Sequence, residues 1–135
     1  MKPELTLLVP AYQEEDNLRR NLPVLLEAAG GCTPAHEILV VDDGSTDAGP
    51  RIAERFARRG PVRLVRHPCN LGPGAAVPTG VFWARGEWIL LVPADLACAP
   101  DELVRVWQAR RNADVVVALR SARGDVPAWR RALSK

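Results

Sequence analysis

The sequence predicts an α/β protein with a doubly wound, mostly parallel sheet in three α/β/α layers, and two observations support this. Short apolar runs rich in β-branched residues, such as Ile38–Val41, lack polar alternation. Such runs are typical of strands buried on both faces of a parallel sheet. Segments with helical spacing of apolar residues separate the runs, which gives the order β-α-β-α-β-α-β-α-β. Right-handed crossovers would then place helices on both faces of one sheet.

Five strands are expected, each beginning or ending beside a residue that interrupts regular pairing. The first ends at Pro10, whose missing N–H group interrupts a ladder of hydrogen bonds. The second ends at the adjacent carboxylates Asp42 and Asp43, which Gly44 follows. The expected strands are Leu5–Val9, Ile38–Val41, Val62–Val65, Glu87–Val92 and Ala113–Leu119.

Four helices are expected between these strands. Leucines recur at helical spacing between Glu15 and Ala29, where Pro23 predicts a kink or a late start. Ser45 or Thr46 can cap a second helix that runs from about Asp47 to Arg59. The loop His67–Gly74 precedes a third helix that ends near Ala84, in which Pro78 is tolerated only close to the helix start. The fourth helix is expected over Pro100–Arg111.

Composition limits the class of protein. The chain has 135 residues, enough for one domain, and its 18 basic and 16 acidic residues give a net charge of only +2. This balance argues against a nucleic-acid partner. The three cysteines are scattered, as expected for reduced thiols in the cytoplasm, and no apolar run approaches the ~20 residues of a membrane span. We expect a soluble cytoplasmic domain, with peripheral membrane contact left open.

Polar residues follow three of the strands where each strand ends. Tyr12 and Glu14 follow the first strand, Asp42 and Asp43 the second, and Asp95 the fourth. Ligands of open α/β sheets bind beyond the carboxyl ends of the strands, so these groups should converge on one site. Carboxylates there suit a nucleotide with a divalent metal that neutralises a departing diphosphate. The competing interpretation is that Asp-Gly-Ser-Thr is simply a turn and a helix cap, which needs one carboxylate at most.

Four motifs together resemble family 2 glycosyltransferases, most closely the polyprenyl- and dolichol-phosphate sugar transferases. They are V-P-A-Y-Q-E-E at 9–15, V-V-D-D-G-S-T-D at 40–47, N-L-G-P-G-A-A at 70–76 and A-D-L at 94–96. The resemblance covers essentially the whole chain. It implies the GT-A fold with a Rossmann-like nucleotide-binding half, a nucleoside-diphosphate sugar as donor, and Mg²⁺ or Mn²⁺ as cofactor.

The resemblance also implies roles for individual residues. Asp95 would be the metal-ligating acid of the family's Asp-x-Asp motif and the catalytic residue. Asp42 would hydrogen-bond the base of the donor, and Arg120 would meet its diphosphate. Backbone at the glycines would approach the donor, and the residues after the first strand would line the base and ribose pocket. The substrate-binding positions are thus Pro10, Tyr12, Glu14, Asp42, Gly72, Gly74 and Arg120.

The chain departs from the family pattern at several positions. Pro93 stands where the family usually has the first Asp of Asp-x-Asp, and Ala97, Pro78 and Gln13 also replace usual residues. A metal held by Asp95 alone would bind weakly. We expect residues 1–120 to form the nucleotide-sugar-binding domain and residues 121–135 a basic C-terminal segment. A truncated chain and a naturally short relative are both compatible with this length.

Three functions remain open at this stage. The first is a metal-dependent transferase whose acceptor is a polyprenyl phosphate, met at the inner membrane face, which needs no protein base because its oxygen is already anionic. The second is a non-catalytic nucleotide-binding module. The third, a nucleotidyltransferase, lacks the expected Gly-rich basic loop after the first strand. Simpler interpretations of Glu14, Asp95 and Arg120 are a helix charge, a turn acid and a surface residue. The sequence does not fix the base, the sugar or the oligomeric state.

Overall fold

The structure, a computed structural model, describes residues 2–118. The described residues do not include Leu119, Arg120 or the segment 121–135, so the predictions made for them stay predictions. The strands are β1 Leu5–Ala11, β2 His36–Asp42, β3 Val62–Arg66 and β4 Trp88–Leu91. The helices are α1 Glu15–Cys32, α2 Gly49–Ala57, α3 Pro73–Trp83 and α4 Pro100–Ala109, followed by a 3₁₀ turn at Arg110–Asn112.

The four strands form one all-parallel sheet in the order β3-β2-β1-β4. Leu8 of β1 lies beside Leu39 of β2 on one side and beside Leu91 of β4 on the other. The chain therefore places β2 and β3 on one side of β1 and then crosses over to place β4 on the other side. The reversal of strand order lies between β1 and β4, which is where ligands of open α/β sheets bind.

Alternate residues of the strands face two different helix layers, as the predicted doubly wound fold requires. Leu7 and Val9 belong to a core cluster that includes side chains of α1, α2 and α4. Leu8 and Leu39 pack on the opposite face against Ala76 of α3. Burial of each large apolar side chain contributes about 1.5–3 kcal/mol. The predicted three-layer α/β class with a parallel sheet is confirmed.

Helix boundaries differ from the predicted ones where proline and glycine were given too much weight. Helix α1 continues through Gly30 and Gly31 to Cys32, and it contains Pro23. Helix α3 begins at Pro73, not near Pro78, because proline suits the first helical position and Gly72 before it adopts a positive φ of 89°. Pro78 is therefore inside the helix.

The start of α2 also uses a different cap from the predicted one. Neither Ser45 nor Thr46 caps it, because the helix begins at Gly49. The Asp47 carboxylate accepts a hydrogen bond from the Gly49 N–H at 2.9 Å. Asp47 also accepts one from the Glu15 N–H at 3.0 Å, so one carboxylate serves the first turns of both α1 and α2.

The predicted fifth strand is wrong for residues 113–118, which form no strand in the structure. Val116 lines a small cleft together with Trp88 and Leu90, but no backbone ladder joins this segment to β4. Val115 and Val117 are 76% and 72% exposed. An apolar, β-branched run predicts a strand only if a neighbouring strand supplies hydrogen bonds, and sequence composition does not report that.

Three tryptophans, Trp83, Trp88 and Trp107, have helical or strand spacing in the sequence that predicts core positions, but the structure places them in three different environments. Trp107 is buried and Trp88 is half-buried, whereas Trp83 at the end of α3 is 48% exposed. Phe82 beside it is 78% exposed and meets the Trp83 ring edge-on. The placement of Trp83 in the core was wrong because α3 is apolar on nearly all sides, so its composition does not identify the buried face. Among residues 2–118, no helix has the length and apolar composition needed to cross a membrane.

Candidate functional site

The candidate site lies at the carboxyl edge of the sheet, where β1, β2 and β4 end. Asp42 is the last residue of β2 and pairs with Ala11 of β1. The N–H of Val92, just beyond β4, donates to the Leu8 carbonyl of β1, so the segment that leads to Asp95 leaves the sheet at the same edge. The strand that ends at Asp42 and the strand whose chain continues to Asp95 thus reach the same edge with β1 between them, and the two strands are two strand spacings or about 10 Å apart. One nucleoside diphosphate can span that interval.

Asp42 is almost completely buried and only half of its carboxylate has protein partners. Its side chain belongs to a residue that is 1% exposed. Oδ2 accepts hydrogen bonds from the Ser45 N–H and from Nε of Arg66, both at 3.1 Å. Oδ1 is buried and has no hydrogen-bond partner among the described residues. A buried acceptor without a partner is costly, so a donor group that reached this oxygen would remove that cost.

The adjacent carboxylate, Asp43, has hydrogen-bond partners in the protein at both of its oxygens. Oδ1 lies 2.7 Å from Nδ1 of His67 and accepts the Leu71 N–H at 2.9 Å, and Oδ2 accepts the Gly72 N–H at 2.9 Å. Burial opposes ionisation of Asp43, but these hydrogen bonds and the His67 charge outweigh burial and hold the pKa of Asp43 below its ordinary value. Asp43 therefore fixes the loop before α3, and both of its oxygens already have partners in the protein.

Gln13 joins the loop after β1 to the loop after β2. Its backbone has a positive φ of 54°, which is uncommon for a residue with a side chain. Its side-chain oxygen accepts the Thr46 and Asp47 N–H groups at 2.8 and 3.2 Å, and its backbone N–H donates to Oγ of Ser45 at 2.9 Å. These contacts hold together the two loops that border Asp42.

The predicted base-and-ribose residues lie at the end of β1, next to Asp42. Pro10 is half-buried within the strand, and Tyr12 just beyond it is 46% exposed. Glu14 is the N-cap residue of α1, and its carboxylate accepts a hydrogen bond from the Asn17 side chain. The contact with Asn17 agrees with the simpler interpretation of Glu14 as a helix-terminal charge.

Gly72 and Gly74 lie at the beginning of α3. Gly72 has a φ of 89°, and the space where a side chain would project is open at both glycines. Gly44 behaves differently: a Cβ there would lie 2.4 Å from the Cys69 carbonyl carbon. The turn after β2 is therefore packed directly on the loop after β3, while the glycines at α3 leave room for another molecule to approach the backbone.

Asp95 is exposed and lies in a turn whose backbone is held by two hydrogen bonds. The Leu96 N–H donates to the Pro93 carbonyl at 3.0 Å, and Leu96 has a positive φ of 47°. Nδ2 of the buried Asn21 in α1 donates to the Ala94 carbonyl at 2.8 Å. Asn21 thus anchors the turn that presents Asp95 at the edge of the sheet.

The described residues fit a divalent metal only if a bound substrate supplies some of the metal's ligands. No group of three or more His, Cys, Asp or Glu side chains among residues 2–118 could hold a metal ion. Mg²⁺ is commonly bound through one or two carboxylates together with substrate phosphates and water. Asp95 can therefore supply one ligand to a metal that arrives with a diphosphate, but the described residues form no separate metal site.

Sequence reasoning missed two residues that shape the site. Arg66 at the end of β3 donates to Asp42 through Nε and to the Ser45 carbonyl through Nη2, at 3.1 Å each. His67 was taken for a loop residue but is 9% exposed and contacts Asp43. The parallel order of β2 and β3 was a usable signal, since residues that end neighbouring strands lie side by side.

Comparison with known proteins agrees with the architecture. The family model described as glycosyl transferase family 2 matches residues 6–135. Dolichyl-phosphate beta-glucosyltransferase from Mus musculus is 36% identical over 104 residues, which cover 68% of this chain and 31% of that protein. Undecaprenyl-phosphate 4-deoxy-4-formamido-L-arabinose transferase from Pseudomonas fluorescens is 36% identical over 134 residues, covering 97% of this chain and 39% of that protein. The chain thus spans between about 31% and 39% of the length of these relatives.

Solved structures give the same fold. The mannosyltransferase PcManGT from Pyrobaculum calidifontis, solved with GDP-Man and Mn²⁺, superposes with a TM-score of 0.65 and 28% identity, covering 82% of this chain and 34% of that one. TarS from S. aureus, solved with UDP-GlcNAc, superposes with a TM-score of 0.59 and 27% identity, and the match covers 68% of this chain and 26% of the TarS chain. The match to these structures agrees with the expected GT-A fold.

Proposed function

Because the chain belongs to glycosyl transferase family 2, we propose that its carboxyl edge binds a nucleoside-diphosphate sugar whose sugar is transferred to a polyprenyl-phosphate acceptor. The relatives are named for dolichyl-phosphate and undecaprenyl-phosphate sugar transfer, which supports a lipid-phosphate acceptor. They differ in the sugar that their names give, so these relatives do not identify the sugar. A lipid acceptor would be met at the inner membrane face by a cytoplasmic domain.

The unpaired oxygen of Asp42 is the observation that supports donor binding most directly. It is a buried, negatively charged acceptor, and purely structural roles for Asp42 are already met by its other oxygen. The imide or amide N–H of a nucleotide base is a donor of suitable kind. A hydrogen bond to a charged group contributes about 1.5–3 kcal/mol, which corresponds to roughly tenfold to a hundredfold in affinity.

The remaining roles follow from position along the edge. Tyr12 lies next to Asp42, where an aromatic face can pack on a base, and Pro10 and Glu14 lie on either side of it. The open backbone at Gly72 and Gly74 leaves space for the donor. Asp95 follows β4, on the other side of β1 from Asp42, and would meet the diphosphate and its metal, which when bound would neutralise charge on the departing diphosphate. Arg120, outside the described residues, keeps its proposed role toward the diphosphate.

No general base is required for this reaction. The oxygen of an acceptor phosphate is already anionic and can attack the sugar carbon as the bond to the diphosphate breaks. This chain then has to bind the donor, orient it and limit the access of water.

A second candidate function is a nucleotide-binding module without turnover. Pro93 stands where the metal motif usually has its first carboxylate, and the described residues include no group of three or more side chains that could hold a metal ion. The chain also spans only 31–39% of the length of relatives that perform transfer. The two candidates share the Asp42 contact and differ in whether metal matters.

Calorimetry with UDP and GDP, each with and without Mn²⁺, tests both. Asp42→Asn should weaken binding of the preferred nucleotide at least tenfold, while the exposed Asp16→Asn, a matched control, leaves it unchanged. Asp95→Ala should abolish any increase in affinity caused by Mn²⁺. Binding that responds to Asp42 but not to metal supports the module. Equal binding by wild type and Asp42→Asn, or no binding of either nucleotide, would refute the proposed donor site.

A further inference from the structure

His67 joins three segments of the chain that meet beneath the candidate site. Its backbone N–H donates to the Asp42 carbonyl at 2.8 Å. Its Nδ1 lies 2.7 Å from Oδ1 of Asp43, and its Nε2 lies 2.8 Å from Oγ1 of Thr79 in α3. The ring is therefore fixed at both nitrogens between the end of β2 and the helix on the other side of the loop.

The loop between His67 and α3 depends on the carboxylate that His67 contacts. Asp43 accepts the N–H groups of Leu71 and Gly72, both at 2.9 Å. Gly72 then turns the chain into α3 with a positive φ, next to open space. The Gly72 N–H is shared with Oδ1 of Asn70 at 3.0 Å, whereas the Leu71 N–H donates to Asp43. Asp43 thus helps to direct this backbone, and His67 in turn orients Asp43.

We infer that His67 is a positioning residue: by fixing Asp43 it holds the segment Leu71–Gly74 in the orientation that presents its backbone to the donor. This inference rests on the proposed function for its ligand but on the protein's own contacts for its mechanism. His67 is largely buried and its ring contacts Asp43, so it acts on the loop through Asp43.

The order Thr79, His67, Asp43 is also that of a nucleophile, base and carboxylate triad. The Thr79 hydroxyl, however, donates its hydrogen to the Ala75 carbonyl one turn earlier in α3, at 2.9 Å. A hydroxyl has one hydrogen, so Thr79 accepts from its other partner and anchors the ring. The arrangement therefore fits an anchor on α3 and not an attacking group.

Replacement of His67 by two amides separates the two ring contacts. In His67→Asn the amide nitrogen can occupy the position of Nδ1 and keep the bond to Asp43, while the contact with Thr79 is lost. In His67→Gln the amide reaches the position of Nε2 and keeps Thr79, while Asp43 loses its partner. His67→Leu removes both, and Thr79→Val removes only the hydroxyl while Thr79→Ser retains it.

The measurements are amide hydrogen exchange at Leu71 and Gly72, followed residue by residue by NMR, and the affinity for whichever of UDP and GDP wild type prefers. We expect His67→Asn to stay within about threefold of wild type in both. We expect His67→Gln and His67→Leu to accelerate exchange at both amides tenfold or more and to weaken nucleotide binding about tenfold. Thr79→Ser should resemble wild type, and Thr79→Val should fall between.

The outcomes separate this inference from the proposed function. Urea unfolding of each variant identifies any that have lost the fold, and the milder Thr79→Val then replaces His67→Leu in the comparison. If wild type binds neither nucleotide, the donor site is refuted while the exchange pattern still decides whether His67 holds the loop. Wild-type exchange at Leu71 and Gly72 in both His67→Gln and His67→Leu would overturn the inference, as would faster exchange that leaves nucleotide affinity unchanged.

Discussion

Asn21 offers a test of how the fold supports Asp95, because one buried hydrogen bond joins the two. Its amide donates to the Ala94 carbonyl across 73 residues of sequence, and both residues are buried. Asn21→Leu keeps the side-chain size but leaves that carbonyl without its donor. An unsatisfied buried group costs about 1–3 kcal/mol, so the free energy of unfolding should fall by that amount. With a typical urea slope of about 1–3 kcal/mol/M, the unfolding midpoint should move down by roughly 0.3–3 M.

The same change should affect metal-dependent binding more than binding as such. The turn at Pro93–Leu96 includes a non-glycine residue at positive φ, a conformation that costs about 1–2 kcal/mol and needs support from neighbours. Without Asn21 the turn is free to relax and Asp95 loses its fixed direction. We expect Asn21→Leu to reduce the Mn²⁺-dependent gain in nucleotide affinity and to leave metal-free affinity within about twofold of wild type.

Two further variants serve as comparisons for Asn21→Leu. Asn21→Asp places a carboxylate against the Ala94 carbonyl and should destabilise more than Asn21→Leu, because two acceptors then face each other. The exposed Gln108→Leu on α4 makes a similar chemical change without a buried partner and should stay within about 0.5 kcal/mol of wild type. An Asn21→Leu protein as stable as the Gln108→Leu control would refute the reasoning, since the contact would then have no energetic role.

Three further outcomes are expected from buried contacts elsewhere. Glu37 accepts hydrogen bonds from the Thr6 hydroxyl and from two other groups, so Glu37→Ala should lower the free energy of unfolding by about 2–4 kcal/mol in urea titrations, whereas an unchanged midpoint would contradict this. Burial works against ionisation of Glu37 and Asp43, but their hydrogen bonds outweigh it and lower both pKa values. Each group therefore stabilises the fold above its ordinary pKa of about 4, and that contribution is lost as pH falls through the lower folded-state pKa; urea midpoints should drop from about pH 5 to about pH 3, less steeply in Glu37→Gln. Gly44→Ala should lower the free energy of unfolding by at least about 2 kcal/mol, since Gly44 has a φ of 76° and a Cβ there would meet the Cys69 backbone. Gly74→Ala, whose Cβ would meet nothing within 4 Å, should leave the urea midpoint unchanged in the same titrations.

The sheet and its functional edge could be predicted because parallel strands have a simple signature. Continuous apolar runs identified β1 to β4, with ends shifted by one or two residues, and alternation with helices implied a common carboxyl edge. The convergence of Tyr12, Asp42 and the turn of Asp95 follows from that topology alone. Helix starts were less predictable, because Pro73 and Pro78 both suit a first turn and only packing of α3 on the sheet selects Pro73.

Properties that depend on distant partners could not be predicted. The apolar run at 113–118 has a strand-like composition but no ladder to β4. Trp83 is exposed although Trp107 is buried, since burial depends on which helix face meets the sheet. The sequence predicted only a loop residue at His67, because its partners Asp43 and Thr79 lie 24 residues before it and 12 residues after it.

The pair Asp42–Asp43 shows how two identical neighbours acquire different duties from topology. Adjacent residues at the end of a strand direct their side chains to opposite sides, so they meet different loops. The Asp43 side chain meets the loop that leads into α3 and is satisfied there by three groups of the protein. The Asp42 side chain meets a tight turn and one arginine, which satisfy one oxygen and leave the other buried without a partner. A carboxylate in that condition weakens the fold in the absence of ligand, whereas a bound donor group would remove the penalty. Retaining it is therefore easier to explain by binding than by stability, which is why the proposed donor site is centred on Asp42 and its supporting loop on Asp43.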